Sequence, residues 1–411
     1  MAENKNQHYV PKCHLRPFSI HGTGTAINLY NIRLDQGIQN ASIRGQCSRS
    51  YFYGEDRKLE TILQGMEGKY ATTIAEIEQG PKEVSENTSG FLREFAYLQY
   101  SRTAKAAERR RASFESMHEI SSRPVKANRG VRIDEVDLSL RAMVLGNLRM
   151  WTKSRDTIDD LKVAIVRNET NIDFVTSDDP AVLTNRVHLQ ILKCNSFGLI
   201  SCGMQLFLPL TPKLALIAYD TDAYGAPNKR GNWIPISRPR DVQALNELQY
   251  LNCDANIYFQ AWDDRDRIAA EYKEAAPRRL DIVHRLWVGI KVGENNEADM
   301  YRRATKEETT TLGTKIVTVS PVFPTPRHWF SGLRFREKVW GWFPATGTGL
   351  FRQVHAYAKR FEVRFRRVRV RPGLNLLTGS DGPETVLHTR TPDERIQEAM
   401  SEAKSKGPTA F

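Results

Sequence analysis

No stretch of the chain approaches the roughly 18 consecutive apolar residues needed to span a bilayer, so no membrane partner is expected. Residues Met1 to Asn6 lack the apolar core of a secretion signal, and the expected location is cytoplasmic. Cysteine is scarce: five residues, at positions 13, 47, 194, 202 and 253, odd in number and widely scattered. Such spacing gives neither a disulfide framework nor a Cys-x-x-Cys metal clamp, and it suits small buried thiols in a reducing compartment. Several catalytic signatures are also missing. There is no His-Glu-x-x-His zinc helix, no glycine-rich phosphate loop and no Gly-x-Gly-x-x-Gly fingerprint. Ser177 lacks the Gly-x-Ser-x-Gly elbow of a serine nucleophile. Neither Asp160-Leu161-Lys162 nor Glu169-Thr170 supplies the two-carboxylate-plus-Lys pattern of common restriction-type nucleases. No internal repeat is visible.

What is present is a chain of 411 residues, 40% hydrophobic and 26% charged, long enough to bury a large core in two or three domains. Sixty Lys and Arg against 48 Asp and Glu leave a formal charge of +12. A basic surface attracts polyanions, so DNA or RNA is the expected partner, with solvated faces or an acidic partner as the bland alternative. The charge is clustered: Lys105, Arg109, Arg110 and Arg111 fall in one helical segment, and Arg364, Arg366, Arg367, Arg369 and Arg371 crowd the C-terminal part. Oligomeric state is not legible.

The periodicities predict an α+β fold: a mostly helical N-terminal third packed on an antiparallel or mixed sheet, then a basic, β-rich C-terminal portion. Residues 26–33 read as a strand, with Gln36-Gly37 as its turn. Leu59, Ile62, Leu63, Met66, Tyr70, Ile74 and Ile77 make a helical stripe that Gly80-Pro81 stops. Residues 88–115 read as one long helix and 134–155 as another, with 120–132 a linker or lid. Residues 163–166 and 172–175 suggest a hairpin, followed by strands at 205–208 and 214–219. Asp241 is placed as the cap of a helix running toward Ile257. Beyond that, 286–290 is an apolar run and 292–313 a polar, exposed stretch. Phe361 to Arg371 alternates like a half-exposed strand, with a bulge at Arg366-Arg367. The expected domains are 1–262, 263–395, and a disordered tail at 396–411.

The most distinctive segment is Asn6-Gln7-His8-Tyr9-Val10-Pro11, followed by Leu15 and Phe18. A terminus normally frays, yet this one has enough apolar material to be pinned, which makes its imidazole and amide candidates for a polar site. With Phe52-Tyr53, Leu59-Glu60, Met66-Glu67 and Phe174-Val175-Thr176-Ser177-Asp178-Asp179-Pro180, this opening resembles a largely bacterial family catalogued as domain of unknown function number 4238. Leu208-Pro209-Leu210-Thr211-Pro212 and Leu251-Asn252 are similar to its downstream features. Cys13-His14 and Pro17 stand where that family usually carries an aromatic residue and an Asn. The resemblance covers about residues 5–262. It implies no settled activity, but it adds Tyr53, Ser177 and Asn252 to the substrate-binding candidates.

Glu60 and Glu67, seven apart on a helix, project from one face about 10 Å apart along the axis. That spacing suits a groove wall better than a shared ion, and equally the polar edge of an amphipathic stripe. Asp178 ends a strand just before Pro180, either to present a carboxylate or simply to form a turn. His8 can serve as acid, base or ligand. His8, Glu60 and Asp178 are the catalytic candidates, and Glu60, Glu67 and Asp178 the ligands for a possible Mg²⁺ or Mn²⁺. Gln7, Tyr9, Tyr53, Ser177, Asn252, Arg109, Arg364 and Arg366 are the substrate-binding candidates. The other histidines have no ligand-like spacing. Trp329, Trp340 and Trp342, near Arg334, Arg336 and Lys338, suit either base stacking or packing. A metal-dependent phosphodiester hydrolase acting on DNA or RNA is the leading expectation. A non-catalytic nucleic-acid binder and a structural or protein-interaction factor are the alternatives.

Overall fold

The computed structural model describes residues 6–55, 57–121, 136–294, 298–305, 307–308, 315–344, 349–352, 365–376 and 385–389. It is an α+β fold whose N-terminal third is not mostly helical: the described residues up to Ser50 carry four strands and a short α-helix. β1 (Asn6–His8) leads into the short helix α1 (Lys12–Leu15), then β2 (Ala26–Asn31), β3 (Gln36–Ser42) and β4 (Ser48–Ser50). Helix begins in earnest with α2 (Arg57–Glu78), α3 (Glu86–Arg102), α4 (Ala104–Ser121) and α5 (Leu140–Ser154). The chain then runs through β5 (Lys162–Asn168), β6 (Thr176–Ser177), β7 (Val182–Thr184), β8 (Gln205–Thr211), β9 (Leu214–Tyr219), β10 (Tyr224–Gly225) and β11 (Trp233–Ile236). After α6 (Pro239–Asn252), β12 (Asn256–Phe259) and α7 (Arg265–Ala275) come β13 (His284–Glu294), β14 (Ala298–Arg303), β15 (Lys315–Pro321), β16 (Arg334–Phe335), β17 (Trp340–Pro344), β18 (Phe365–Arg369) and β19 (Thr385–Thr389).

A five-stranded sheet of order β11-β5-β9-β8-β7 forms the centre; only the β11–β5 pair is parallel. Both its faces are buried, which explains why its strands read as continuous apolar runs. Val163, Ile165, Leu206, Leu208 and Leu216 meet α2, α3 and α5 on one face. Ala164, Val166, Phe207 and Ile217 meet α6 on the other, together with Leu333, Val339, Leu350 and Val370 from the C-terminal part. That second core therefore runs straight across residue 262. A second sheet, β3-β2-β12-β6, packs against α1 and α7, and a third, β15-β13-β14-β19, lies against α4, where His284 Nε2 meets Ser116 Oγ at 2.7 Å.

Several local expectations need correcting. Gln36-Gly37 opens β3 and is not the turn. The 88–115 helix is two helices, broken at Thr103, whose backbone is extended (φ −75°, ψ 161°). Its hydroxyl accepts from Ala106 N–H (3.1 Å) and donates to buried Asp179 (2.5 Å), so a side-chain contact overrides helical propensity. Residues 172–175 form no hairpin with β5; the segment ends in β6, which pairs with β12. Asp241 does not cap α6, whose cap position is Arg238; its carboxylate accepts from Ser331 N and Oγ. α6 ends at Asn252, and Ile257 belongs to β12. Part of the expected polar stretch 292–313 is β14. The β17–β18 ladder is regular from Trp340–Arg369 to Pro344–Phe365, without a bulge at Arg366-Arg367. The expected linker at 120–132, residues 361–364 and the tail at 396–411 lie almost wholly outside the described residues.

Candidate functional site

The N-terminal strand is pinned by its own side chains. β1 pairs antiparallel with β4, and Gln7, 5% exposed, clasps the chain entering α2. Its Oε1 accepts from Tyr53 N–H (2.7 Å) and its Nε2 donates to Gly54 O (2.8 Å). Gly54 has φ +92°, a conformation that favours glycine, and this turns the carbonyl toward Gln7. The carbonyl of His8 is held from below by Tyr53 Oη (3.2 Å) and Arg102 Nη2 (2.9 Å).

Arg102 is the centre of this arrangement. Only 1% exposed, it donates from Nε to Tyr53 Oη (2.8 Å) and from Nη2 to Glu67 Oε1 (2.8 Å), and its guanidinium lies 5.4 Å from the Tyr53 ring centroid. Burial works against its charge, but Tyr53 and Glu67 outweigh it and hold the guanidinium above its ordinary pKa. Its Nη1 is buried and has no hydrogen-bond partner among the described residues. A buried donor without an acceptor is costly, and such groups are rare in folded chains.

Above Arg102 opens a cleft of about 300 Å³. Gln7, His8, Lys12, Cys13, Arg16 and Tyr53 line one side, and Glu60, Gln64 and Glu67 of α2 the other. The sequence candidates His8, Gln7, Tyr53, Glu60 and Glu67 thus share one cavity. The two Glu do line a groove, but Glu67 is taken by Arg102 and Glu60 accepts from Gln64 Nε2 (3.4 Å). Burial, reinforced by Lys12 and Arg102 and opposed by the Gln46 carbonyl, lowers the His8 pKa to about 4. The imidazole is therefore neutral at pH 7. Lys12 and Arg16 are exposed at the rim. Cys13 is no nucleophile, because burial raises its thiol to about 12.

Asp178 lies elsewhere. It is 3% exposed and does not line the cleft, and its oxygens accept from the backbone N–H groups of Asp254 (2.7 Å), Ala255 (2.8 Å) and Asn256 (2.9 Å). The expectation that it joins Glu60 and Glu67 on one ion, or His8 in catalysis, is corrected on that geometry: its lone pairs hold the turn between α6 and β12. Ser177 likewise serves the fold, donating to Gln249 Oε1 (2.8 Å) and accepting from Asp179 N–H (3.3 Å). Tyr9 packs on Phe52 at 5.2 Å, on the Cys47 and Asp178 side rather than in the cleft. Arg109 pairs through Nη1 with Asp179 and is absent from the cleft lining, and Asn252 Nδ2 donates to Leu248 O within α6. Arg366 is exposed on β18, remote in sequence and absent from the cleft lining, and Arg364 lies outside the described residues.

The Gln7 clasp, the acid-bearing α2 and the Ser177-Asp178 staple all fall within one sequence family. The chain belongs to the DUF4238 family, proteins of unknown function, whose model matches residues 6–263. No curated protein and no solved structure matches it. Within this DUF4238 region, sequence reasoning missed Arg102, Lys12, Arg16 and Gln64. A signal for Arg102 was there: Phe91, Phe95, Leu98 and Arg102 recur at spacings of four, three and four, placing an arginine in an apolar stripe. His14, one of the histidines without ligand-like spacing, lies in the core. It is fully buried, 3.1 Å from Tyr70 Oη and 2.8 Å from Thr176 Oγ1.

Proposed function

We propose that the cleft above Arg102 binds a phosphodiester of DNA or RNA and that the protein hydrolyses it. The observation that carries this reading is the buried guanidinium of Arg102, with one donor unanswered among the described residues, beneath a rim bearing Lys12 and Arg16. Arginine forks match phosphate oxygens, and a desolvated site strengthens the pairing. His8, neutral at pH 7, accepts the proton of a water that attacks phosphorus and returns it to the leaving oxygen. Glu60 on the opposite wall orients that water.

Glu60, Glu67 and Asp178 do not fit a resident divalent ion. Among the described residues no three His, Cys, Asp or Glu side chains gather into a metal-holding group, Glu67 is paired with Arg102, and Asp178 is not part of the cleft lining. The same shortage of converging acids favours, as a second reading, a nucleic-acid binder without catalysis. Burial of Gln7, Ser177 and Asp178 in internal hydrogen bonds supports a fold-building role for the motif residues under either reading.

The test uses a labelled 12-nucleotide DNA and its RNA counterpart, with Mg²⁺, with Mn²⁺ and with chelator. Cleavage by the wild type that is lost in His8→Asn and Glu60→Gln, with binding retained, is the expected result. Binding that persists without cleavage in every condition hands the site to the second reading, and absence of any binding rejects both.

A further inference from the structure

Outside the family match, we infer that the outer face of the β17–β18 strand pair is a docking surface for single-stranded nucleic acid. Strand alternation and register place Trp340 opposite Arg369 and Trp342 opposite Arg367, so two indoles and two guanidiniums share one face. The inner face is closed: Phe343 and Val370 are buried, and a Cβ on Gly341 would meet Leu350 at 2.6 Å. On the outer face the Arg367 guanidinium stands 4.5 Å from the Trp340 ring centroid and 5.9 Å from that of Trp342. Both tryptophans remain only half-buried, and Arg367 and Arg369 are exposed.

Beside this face lies a hollow of about 550 Å³, lined by Trp340, Arg367, Arg336, Lys338, Asp222 and Glu337, with Thr221 at its edge. Three cations there outnumber two carboxylates, and Arg369 and Arg371 continue the positive charge along the chain. Charge alone would suit any polyanion. The stacked planes narrow the choice, because indole and guanidinium surfaces stack on bases that are unpaired and splayed, not on a duplex. Asp222 and Glu337 add acceptors for base N–H groups at the hollow's wall. The choice of polyanion rests on the nucleic-acid reading of the cleft, but the residues are a separate set.

The experiment measures fluorescence anisotropy of a 12-nucleotide single strand, the blunt duplex of the same sequence, and poly-glutamate as competitor. Trp340→Leu, Arg369→Gln and Arg102→Gln are compared with the wild type on the full chain. Single-strand binding should weaken about tenfold in Trp340→Leu. In Arg369→Gln the slope of log affinity against log salt should fall by about 0.7. Arg102→Gln should retain this binding while losing cleavage, which separates the strand pair from the cleft. Should Trp340→Leu fail to fold, the exposed Arg369→Gln and the duplex comparison still decide. Duplex and single strand bound alike, poly-glutamate competing charge for charge, or an unchanged salt slope in Arg369→Gln would each overturn the inference.

Discussion

Gln7→Leu separates two roles for the most conspicuous segment of the chain: a group that meets a ligand, or a clasp that builds the site. Leucine keeps roughly the same volume but removes both hydrogen bonds of the amide. Tyr53 N–H then loses its 2.7 Å acceptor and Gly54 O its 2.8 Å donor, in a pocket where Gln7 is 5% exposed. Each stranded backbone group costs about 1–3 kcal/mol, so the upper bound is ~6 kcal/mol. Gln7 also borders the cleft, and water entering there would re-solvate one of the two, which brings the expectation to about 2–3 kcal/mol. The assay is the urea midpoint followed by tryptophan fluorescence. Gln7→Glu sharpens it. A carboxylate still accepts from Tyr53 N–H but faces the Gly54 carbonyl with a lone pair, so its destabilisation should ease as acid protonates the side chain and restores a donor. Gln7→Leu within about 0.5 kcal/mol of wild type, with oligonucleotide binding lost, would refute the clasp and make the amide a ligand group.

Further perturbations test the neighbouring parts. Burial, with help from Asp254 and against three amide hydrogen bonds, pushes Asp178 up to about 7, so the folded chain holds this proton more tightly than the unfolded one. Its contribution to stability is full below about pH 4 and is lost as pH rises toward 7. Asp254→Asn should flatten that part of the urea-midpoint profile; superimposable profiles would count against the pairing. His8 has the opposite sign. With its pKa lowered to about 4, its contribution is present above its ordinary value near 6.5 and fades as pH falls toward 4. Inorganic phosphate in the cleft should raise the His8 midpoint seen by proton NMR, and an unmoved midpoint at saturating phosphate would argue against an anion site. Thr103→Ala removes the cap of Ala106 N–H and the bond to Asp179, and should cost about 1–2 kcal/mol in the same denaturation assay, against no change if the α3–α4 break is set elsewhere.

How far the sequence could be read follows from the range of each interaction. Stripes such as Leu63, Tyr70, Ile74 and Ile77 are local, and α2 appears where they place it, from Arg57 to Glu78. The strands β8 and β9 were legible for the same reason, as two local apolar runs, although their pairing was not read. The break at Thr103 was not, since it depends on Asp179, distant in sequence, and helix periodicity continues on both sides of it. The 172–175 error has a similar origin. An apolar run next to β5 invites a hairpin, yet its partner is β12, delivered by α6 from far along the chain. For the cleft, the seven-residue spacing of Glu60 and Glu67 correctly put both on one wall, while nothing local said that Arg102 would consume Glu67.

The motif residues also explain why a family signature reads poorly as an active site. Gln7 spends both ends of its amide on Tyr53 and Gly54, Ser177 is engaged by Gln249 and Asp179, and Asp178 accepts three amides from one turn. Each of these side chains joins segments far apart in sequence, as a fold built from a short N-terminal strand, a helical layer and a central sheet requires. A group whose hydrogen-bonding capacity is exhausted internally has little left to offer a ligand. Chemistry has to be sought among groups left over, and among the described residues of the cleft these include Nδ1 of His8 and Nη1 of Arg102, beside the rim cations Lys12 and Arg16. The clasps bring that guanidinium, through the His8 carbonyl and Tyr53 Oη, to the lining of a cavity that the N-terminal segment shares with α2. The signature residues thereby shape a cleft lined by their unremarked neighbour, an arginine in an apolar stripe.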